Sequence, residues 1–184
     1  MARIKGSKLT SKLEFVQQAY GDEMVPRLLE VMSREDQESL RNVSLLAWYP
    51  SALYDRLAEA ICRVAAGGDE KVYDRMGTNS AERQLSTIYV AFRRDDALKT
   101  LRNMVPMHSH MNDPGLMEVT ADGPGQCTIV VKEPKSTLLG CRVSRAFYRR
   151  AVELSGGEAV TVAETSCSAQ GDDACRFQIR WEES

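Results

Sequence analysis

Three of the five cysteines in this 184-residue chain, Cys141, Cys167 and Cys175, fall where they could act together with Glu164. In the segment 175–181, Cys175, Phe177, Ile179 and Trp181 alternate with Arg176, Gln178 and Arg180. That period of two marks a strand with the first set on its buried face. Val160, Val162 and Glu164 share a face of the preceding segment, so Glu164 is expected to point inward, where an ionised carboxylate needs a partner. A hairpin would bring Glu164, Cys167 and Cys175 to one end. Cys141 precedes an expected helix, whose N-terminal dipole favours a thiolate. Three thiolates and a carboxylate suit Zn(II), and four protein ligands leave no open position, so the site would be structural. Taken singly, each cysteine also reads as a packed small residue and Glu164 as a solvated strand end; the spacing of the four favours the metal reading.

The elements that must position these groups follow from hydropathy spacing. Residues 8–110 read as mainly helical. Leu9, Leu13, Val16 and Tyr20 form one stripe, and Met24, Leu28 and Met32 another. Ser33 to Asp36 resembles a capping box. Pro50 opens a helix carrying Leu53, Leu57, Ile61 and Ala65, which Gly67-Gly68 ends. Gly77 to Ser80 reads as a break. Leu85, Ile88, Tyr89 and Phe92 make a further face, as do Leu98, Leu101 and Val105, with a kink or end at Pro106. After the turn at Asn112 to Gly115, residues 116–121 and 127–132 read as a hairpin, 143–154 as a helix, and 159–166 with 174–182 as a second hairpin. The expected fold is α+β and a single domain, 1–184. A helical part, 8–110, is followed by a hairpin–helix–hairpin part, 111–182, whose strands form an antiparallel sheet.

Apolar residues make up 43% and charged residues 27%, with a net charge of -2. No basic excess marks a nucleic-acid or anionic-membrane partner. No apolar run reaches the roughly 18 residues of a spanning helix, and no signal peptide is read, so a cytoplasmic setting with reduced thiols is expected. No G-x-S-x-G and no Cys–His pair suggest nucleophilic catalysis, and the chain is expected not to be an enzyme. Cys62 and Cys127 read as packed thiols. Arg142, Arg145, Arg149 and Arg150 read as a solvated face or as charge balance for the thiolates.

Cys141, then Glu164-Thr165-Ser166-Cys167, then Gly171-Asp172-Asp173-Ala174-Cys175-Arg176-Phe177 resembles the signature of the 4-vinyl-reductase domain. It is most similar to the aromatic-sensing domains of phenol-responsive NtrC-type activators, where zinc is held by a Cys followed by Glu-x2-Cys-x7-Cys. The likeness covers about 136–181. The chain as a whole also resembles a group of uncharacterised bacterial proteins linked to haem–nitric-oxide-binding domains. The resemblance implies a dimeric α+β domain with structural zinc on Cys141, Glu164, Cys167 and Cys175, and an apolar pocket between helices and sheet. The ATPase and DNA-binding domains of the activators have no counterpart here, and the His and Trp that hold phenol there have none that can be aligned.

The resulting expectation is a stand-alone, zinc-stabilised sensory or adaptor domain. It would bind a small apolar or aromatic ligand, act as a homodimer and signal through a separate protein. Tyr89, Phe92, Met104, Met107 and His108 are the candidate pocket residues. Two alternatives stand beside it: an interaction scaffold without a ligand, as in tethering complexes, and a haem-based gas sensor with His108 as haem ligand. The preferred reading of His108 itself is a core-edge histidine among Met104, Met107 and Met111.

Overall fold

The computed structural model describes residues 2–88, 90–132 and 137–183. A short strand, β1 (Arg3–Lys5), runs directly into α1 (Gly6–Tyr20). Leu9, Phe15 and Val16 bury the apolar stripe of α1, and Lys12 is buried with them. Next come α2 (Met24–Glu30) and α3 (Arg34–Arg41). Ser33 caps α3 as the sequence suggests: its Oγ accepts the Asp36 N–H at 3.2 Å, while the Asp36 carboxylate turns to Arg56. Strand β2 (Trp48–Pro50) leads into α4 (Ser51–Ala60), which continues as a π-helical turn, Ile61–Ala65, before Gly67 and Gly68.

Helix α5 (Lys71–Arg83) runs unbroken through Gly77 to Ser80, against expectation. Gly77 is there for a close approach. A Cβ on it would lie 2.3 Å from the Val143 carbonyl oxygen and 2.7 Å from Ala146 Cβ, both on a later helix. Helix α6 (Ala97–Met111) likewise continues past Pro106, its start capped by Asp96, whose carboxylate accepts the Lys99 N–H. A proline withdraws one N–H and disturbs one turn, and here the apolar face of Leu101, Met104, Met107 and Met111 holds the helix together across it.

Strand β3 (Asn112–Asp113) pairs with β1, which pairs with β2. This small antiparallel sheet, β2-β1-β3, was not expected from sequence; its strands are too short to show a period. The second sheet has the order β4-β5-β7-β6, again antiparallel, from β4 (Leu116–Gly123), β5 (Gln126–Lys132), β6 (Gly157–Ser166) and β7 (Cys175–Glu183). Both expected hairpins are present. Cys175, Phe177, Ile179 and Trp181 are buried, as their alternation requires. Helix α7 (Leu138–Glu153) begins five residues earlier than expected, capped by Thr137 Oγ1, so Cys141 lies in its first turns rather than before it.

Two cores result. One joins α6, α7 and the larger sheet; the other joins α1 to α5. Helix α7 serves both: Cys141, Tyr148, Ala151 and Val152 face the sheet core, while Val143 enters the helical core. Arg142 ties α7 to α5 through Asp74 and Glu70, each at 3.0 Å.

Candidate ligand cavity and thiol cluster

The four side chains singled out by spacing do converge. One donor atom each from Cys141, Glu164, Cys167 and Cys175 lies within 4.8 Å of the others, an arrangement that could hold a metal ion. Cys141 Sγ is 3.5 Å from Cys167 Sγ and 3.4 Å from Cys175 Sγ. The cause is local: the β6–β7 hairpin places Glu164 opposite Phe177, and the turn after β6 folds Cys167 back over Cys175. Asp172 Oδ2 accepts the Cys167 N–H at 2.7 Å and fixes that turn. Ser168 N–H and Oγ lie 3.4 and 3.3 Å from Cys175 Sγ. Burial pushes the Cys141 thiol up, and its bonds to Glu164, Cys175 and Cys167 push it the same way. Glu164 Oε1 is buried with no hydrogen-bond partner among the described residues.

Beside this cluster lies a cavity of about 170 Å³ where the two cores meet. Its apolar wall is formed by Met104, Met107 and Met111 of α6, Met117 of β4, Val131 of β5, and Phe147 and Tyr148 of α7. Cys141 and Cys175 also line it, so the thiol cluster adjoins the cavity. His108 reaches it from α6, with its Nε2 shielded from solvent. The opposite wall is polar and is formed by Arg3, Lys8, Tyr54 and Asp55 of the N-terminal elements, with Asn112 of β3 and Thr137 at the start of α7. Lys8 Nζ donates to Asn112 Oδ1 at 2.7 Å, and Asn112 Nδ2 donates to the His108 carbonyl at 2.8 Å. Thr137 Oγ1 donates to Asp55 Oδ1 at 3.2 Å. Burial raises the pKa of the Asp55 carboxyl, against the lowering effects of Thr137 and the nearby lysines. Arg3 pairs with Asp113.

Of the pocket residues expected from sequence, Met104, Met107 and His108 line this cavity. Phe92, in a single 3-10 turn (Val90–Phe92), is not part of its described wall, and Tyr89 lies outside the described residues. The polar wall was missed. Its signal was Lys8, which together with Lys12 is spaced at i, i+4 beside the apolar stripe of α1, an unusual place for lysines.

Among proteins of curated function none matches the sequence. The fold does match solved structures. An H-NOX protein from K. algicida, described as Fe(II) and unliganded, superposes with a TM-score of 0.73 at 12% identity, covering 98% of each chain. An H-NOX protein from S. oneidensis in the Fe(II)NO ligation state gives 0.72 at 15% identity, covering 98% of this chain and 100% of that one. A structure titled for modulation of haem redox potential through porphyrin distortion gives 0.70 at 13% identity, covering 97% and 99%.

The α+β expectation therefore holds, but the fold is the H-NOX fold rather than a 4-vinyl-reductase-like one. The expectation of structural zinc is corrected by the same finding: structures sharing this fold are described by iron and haem. The Cys and Glu spacing misled because it is a property of one hairpin and the helix before it. That local arrangement brings four side chains together without identifying the rest of the chain. The family is settled by a sequence profile that matches residues 10–182: the chain belongs to DUF2378, a family described only as proteins of unknown function.

Proposed function

We propose that the chain is a non-enzymatic sensory domain that takes a small ligand at the cavity between its two cores and signals through a separate partner. Haem-based gas sensing is a better-supported form of this reading than zinc-stabilised aromatic sensing. The observation that carries it is His108, an imidazole on the wall of a Met-lined cavity in a fold shared with iron–nitric oxide structures. An apolar wall with one imidazole suits the donor chemistry of a haem, since imidazole nitrogen is a common iron ligand and an apolar surround excludes water. A haem would supply an iron that binds a diatomic gas. His108 would hold the iron, the methionines and Phe147 would pack the macrocycle, and Lys8 and Arg3 would face its acid groups. Space is the tighter condition. The cavity is smaller than the roughly 300–1,000 Å³ usual for organic-ligand pockets, so seating a haem requires the cavity to widen.

The test is titration of the purified chain with haem, followed by absorbance. Stoichiometric uptake with a Soret band, weakened in His108→Ala, supports the reading. A folded chain that takes up no haem returns the domain to the scaffold alternative, which the small size of the cavity favours. Association with a second copy belongs to the same proposal, and sedimentation of the purified chain tests it. Among the described residues no helix is long and apolar enough to cross a membrane.

A further inference from the structure

Two leucines occupy the corners of the turn between α3 and β2. The Ala47 N–H donates to the Ser44 carbonyl at 3.2 Å, which closes the turn and leaves Leu45 and Leu46 at its tip. Such corners ordinarily carry Gly, Pro, Asn, Asp or Ser. Here Leu45 is 50% and Leu46 75% exposed, and Trp48, just after the turn in β2, is 38% exposed. The backbone of the turn is held from several sides. The Leu45 and Ala47 carbonyls accept the Ser7 and Gly6 N–H groups, each at 3.0 Å, and so take up two donors that the start of α1 leaves without a helical partner. Tyr49 Oη accepts the Ser44 N–H at 2.9 Å. A Cβ on Gly6 would lie 2.1 Å from the Ser44 carbonyl oxygen, so only glycine lets the turn seat there. Cations stand at its base. Lys5 Nζ donates to the Leu46 carbonyl at 2.9 Å and lies 4.0 Å from the centre of the Trp48 ring. Neither partner is anionic, and among the described residues no carboxylate pairs with Lys5. The Arg3 guanidinium also flanks the ring, at 5.6 Å, with Asp113 offsetting its charge.

We infer that this turn is a membrane-contact site: Leu45 and Leu46 enter the interfacial layer of a bilayer, Trp48 lies at headgroup level, and Lys5 meets the phosphate of an anionic lipid. Shape and charge together select a lipid surface as the occupant. Three side chains on a protruding turn offer much less than the roughly 800 Å² per partner of a stable protein interface. A bilayer needs no matching groove, because apolar side chains partition into its interface and add to the attraction between basic groups and anionic headgroups. Tryptophan favours that same layer, with its ring in the apolar zone and its N–H in the polar one. The net charge of the chain is -2, so the attraction is local to this turn. Leu45, Leu46, Trp48 and Lys5 are not part of the described cavity wall, so the site stands independently of what the cavity takes.

The experiment mixes the full chain with vesicles of phosphatidylcholine alone, or with about 30% phosphatidylglycerol to supply a negative surface. Partition is read by co-sedimentation and by tryptophan fluorescence. Trp181 is buried, so a lipid-dependent change in emission reports Trp48, and Trp48→Phe should remove it. The expected result is binding to the anionic vesicles, a blue shift of the emission, and quenching by lipid brominated near the headgroup end of its chains. Leu45→Ser combined with Leu46→Ser should weaken partition by on the order of tenfold or more. Lys5→Gln should weaken binding to the anionic vesicles about fivefold and leave binding to phosphatidylcholine unchanged. No co-sedimentation with either vesicle, or partition that the double leucine substitution leaves unchanged, overturns the inference. A wild-type chain that ignores vesicles yet self-associates, and whose double leucine variant sediments as a smaller species, overturns it too and makes the turn a protein interface. Leu45 and Leu46 are exposed, so the double variant should unfold at the wild-type midpoint. Should it be less stable, the wild type decides alone: Trp48 emission quenched by the brominated lipid supports the inference, and unquenched emission overturns it.

Discussion

Lys12 Nζ lies 3.3 Å from Met76 Sδ and 4.1 Å from the centre of the Tyr54 ring, inside the helical core. The residue is 1% exposed. Thioether and aromatic ring are soft partners that offset only part of the cost of burying an ammonium. Burial, followed by repulsion from Lys8, lowers the Lys12 pKa from 10.5 to about 7, against a raising effect from Asp55.

A folded pKa below the unfolded one means the unfolded chain binds the extra proton between about pH 7 and 10.5. Stability from this group therefore rises as pH increases through that window, and below about 7 the penalty is present in full. Lys12→Met is expected to raise stability at pH 7 by roughly 2–4 kcal/mol and to flatten the rise between neutral and alkaline pH. Urea unfolding across that range measures both.

Asp36 behaves in the opposite sense. Arg56 Nε and Nη2 each donate to its carboxylate at 2.7 Å, joining α3 to α4. Those bonds, with Ser33, hold the Asp36 carboxyl below its ordinary pKa despite burial. Its contribution is present above the unfolded value of 3.8 and is lost as pH falls through the lower folded value. Because Arg56 is half exposed, Asp36→Asn is expected to cost only about 1 kcal/mol at pH 7. The difference between variant and wild type should shrink as acid protonates the wild-type carboxyl, which parallel denaturation at pH 7 and below pH 4 will test.

Gly77 marks a close approach between α5 and α7. A methyl group there would press on the Val143 carbonyl and the Ala146 side chain, and neither can swing aside. Gly77→Ala gains a little helix propensity, under ~1 kcal/mol. The overpacking cost, about 1–3 kcal/mol, outweighs it. A net loss of thermal stability is expected, whereas a more stable variant would mean the helices separate freely.

Cys127 lies in β5 at 1% exposure, and burial pushes its thiol up to about 12, with Asp122 adding to the shift. The thiolate is the reactive form, so Cys127 should resist iodoacetamide at pH 8 in the folded chain and react once it is unfolded. Mass spectrometry of tryptic peptides distinguishes the two states.

The hairpins and most helices were legible because long periodic segments announce themselves: the alternation from Cys175 to Trp181 and the four-residue stripe from Leu53 to Ile61 both place buried residues correctly. Gly77 and Pro106 were misread because their local preferences were outweighed by tertiary contacts that a sequence does not display. The β2-β1-β3 sheet was missed because strands of two or three residues carry no pattern. Convergence of Cys141, Glu164, Cys167 and Cys175 was readable from spacing, since one hairpin and the helix before it set it. What that convergence says about the whole fold was not, because the cavity is built from segments as far apart as Lys8 and Phe177. Nothing local relates Lys8 on α1 to His108 on α6, yet Asn112 links them through two hydrogen bonds.

The central claim is that this cavity binds a small ligand through His108, with haem as the bound group. Titrating haem into the folded chain and recording the absorbance spectrum tests it most directly. The account predicts saturation at one haem per chain with a Soret band that His108→Ala weakens at least tenfold in affinity. A folded wild-type chain whose spectrum remains that of free haem, or a His108→Ala variant that binds as well as wild type, would contradict it.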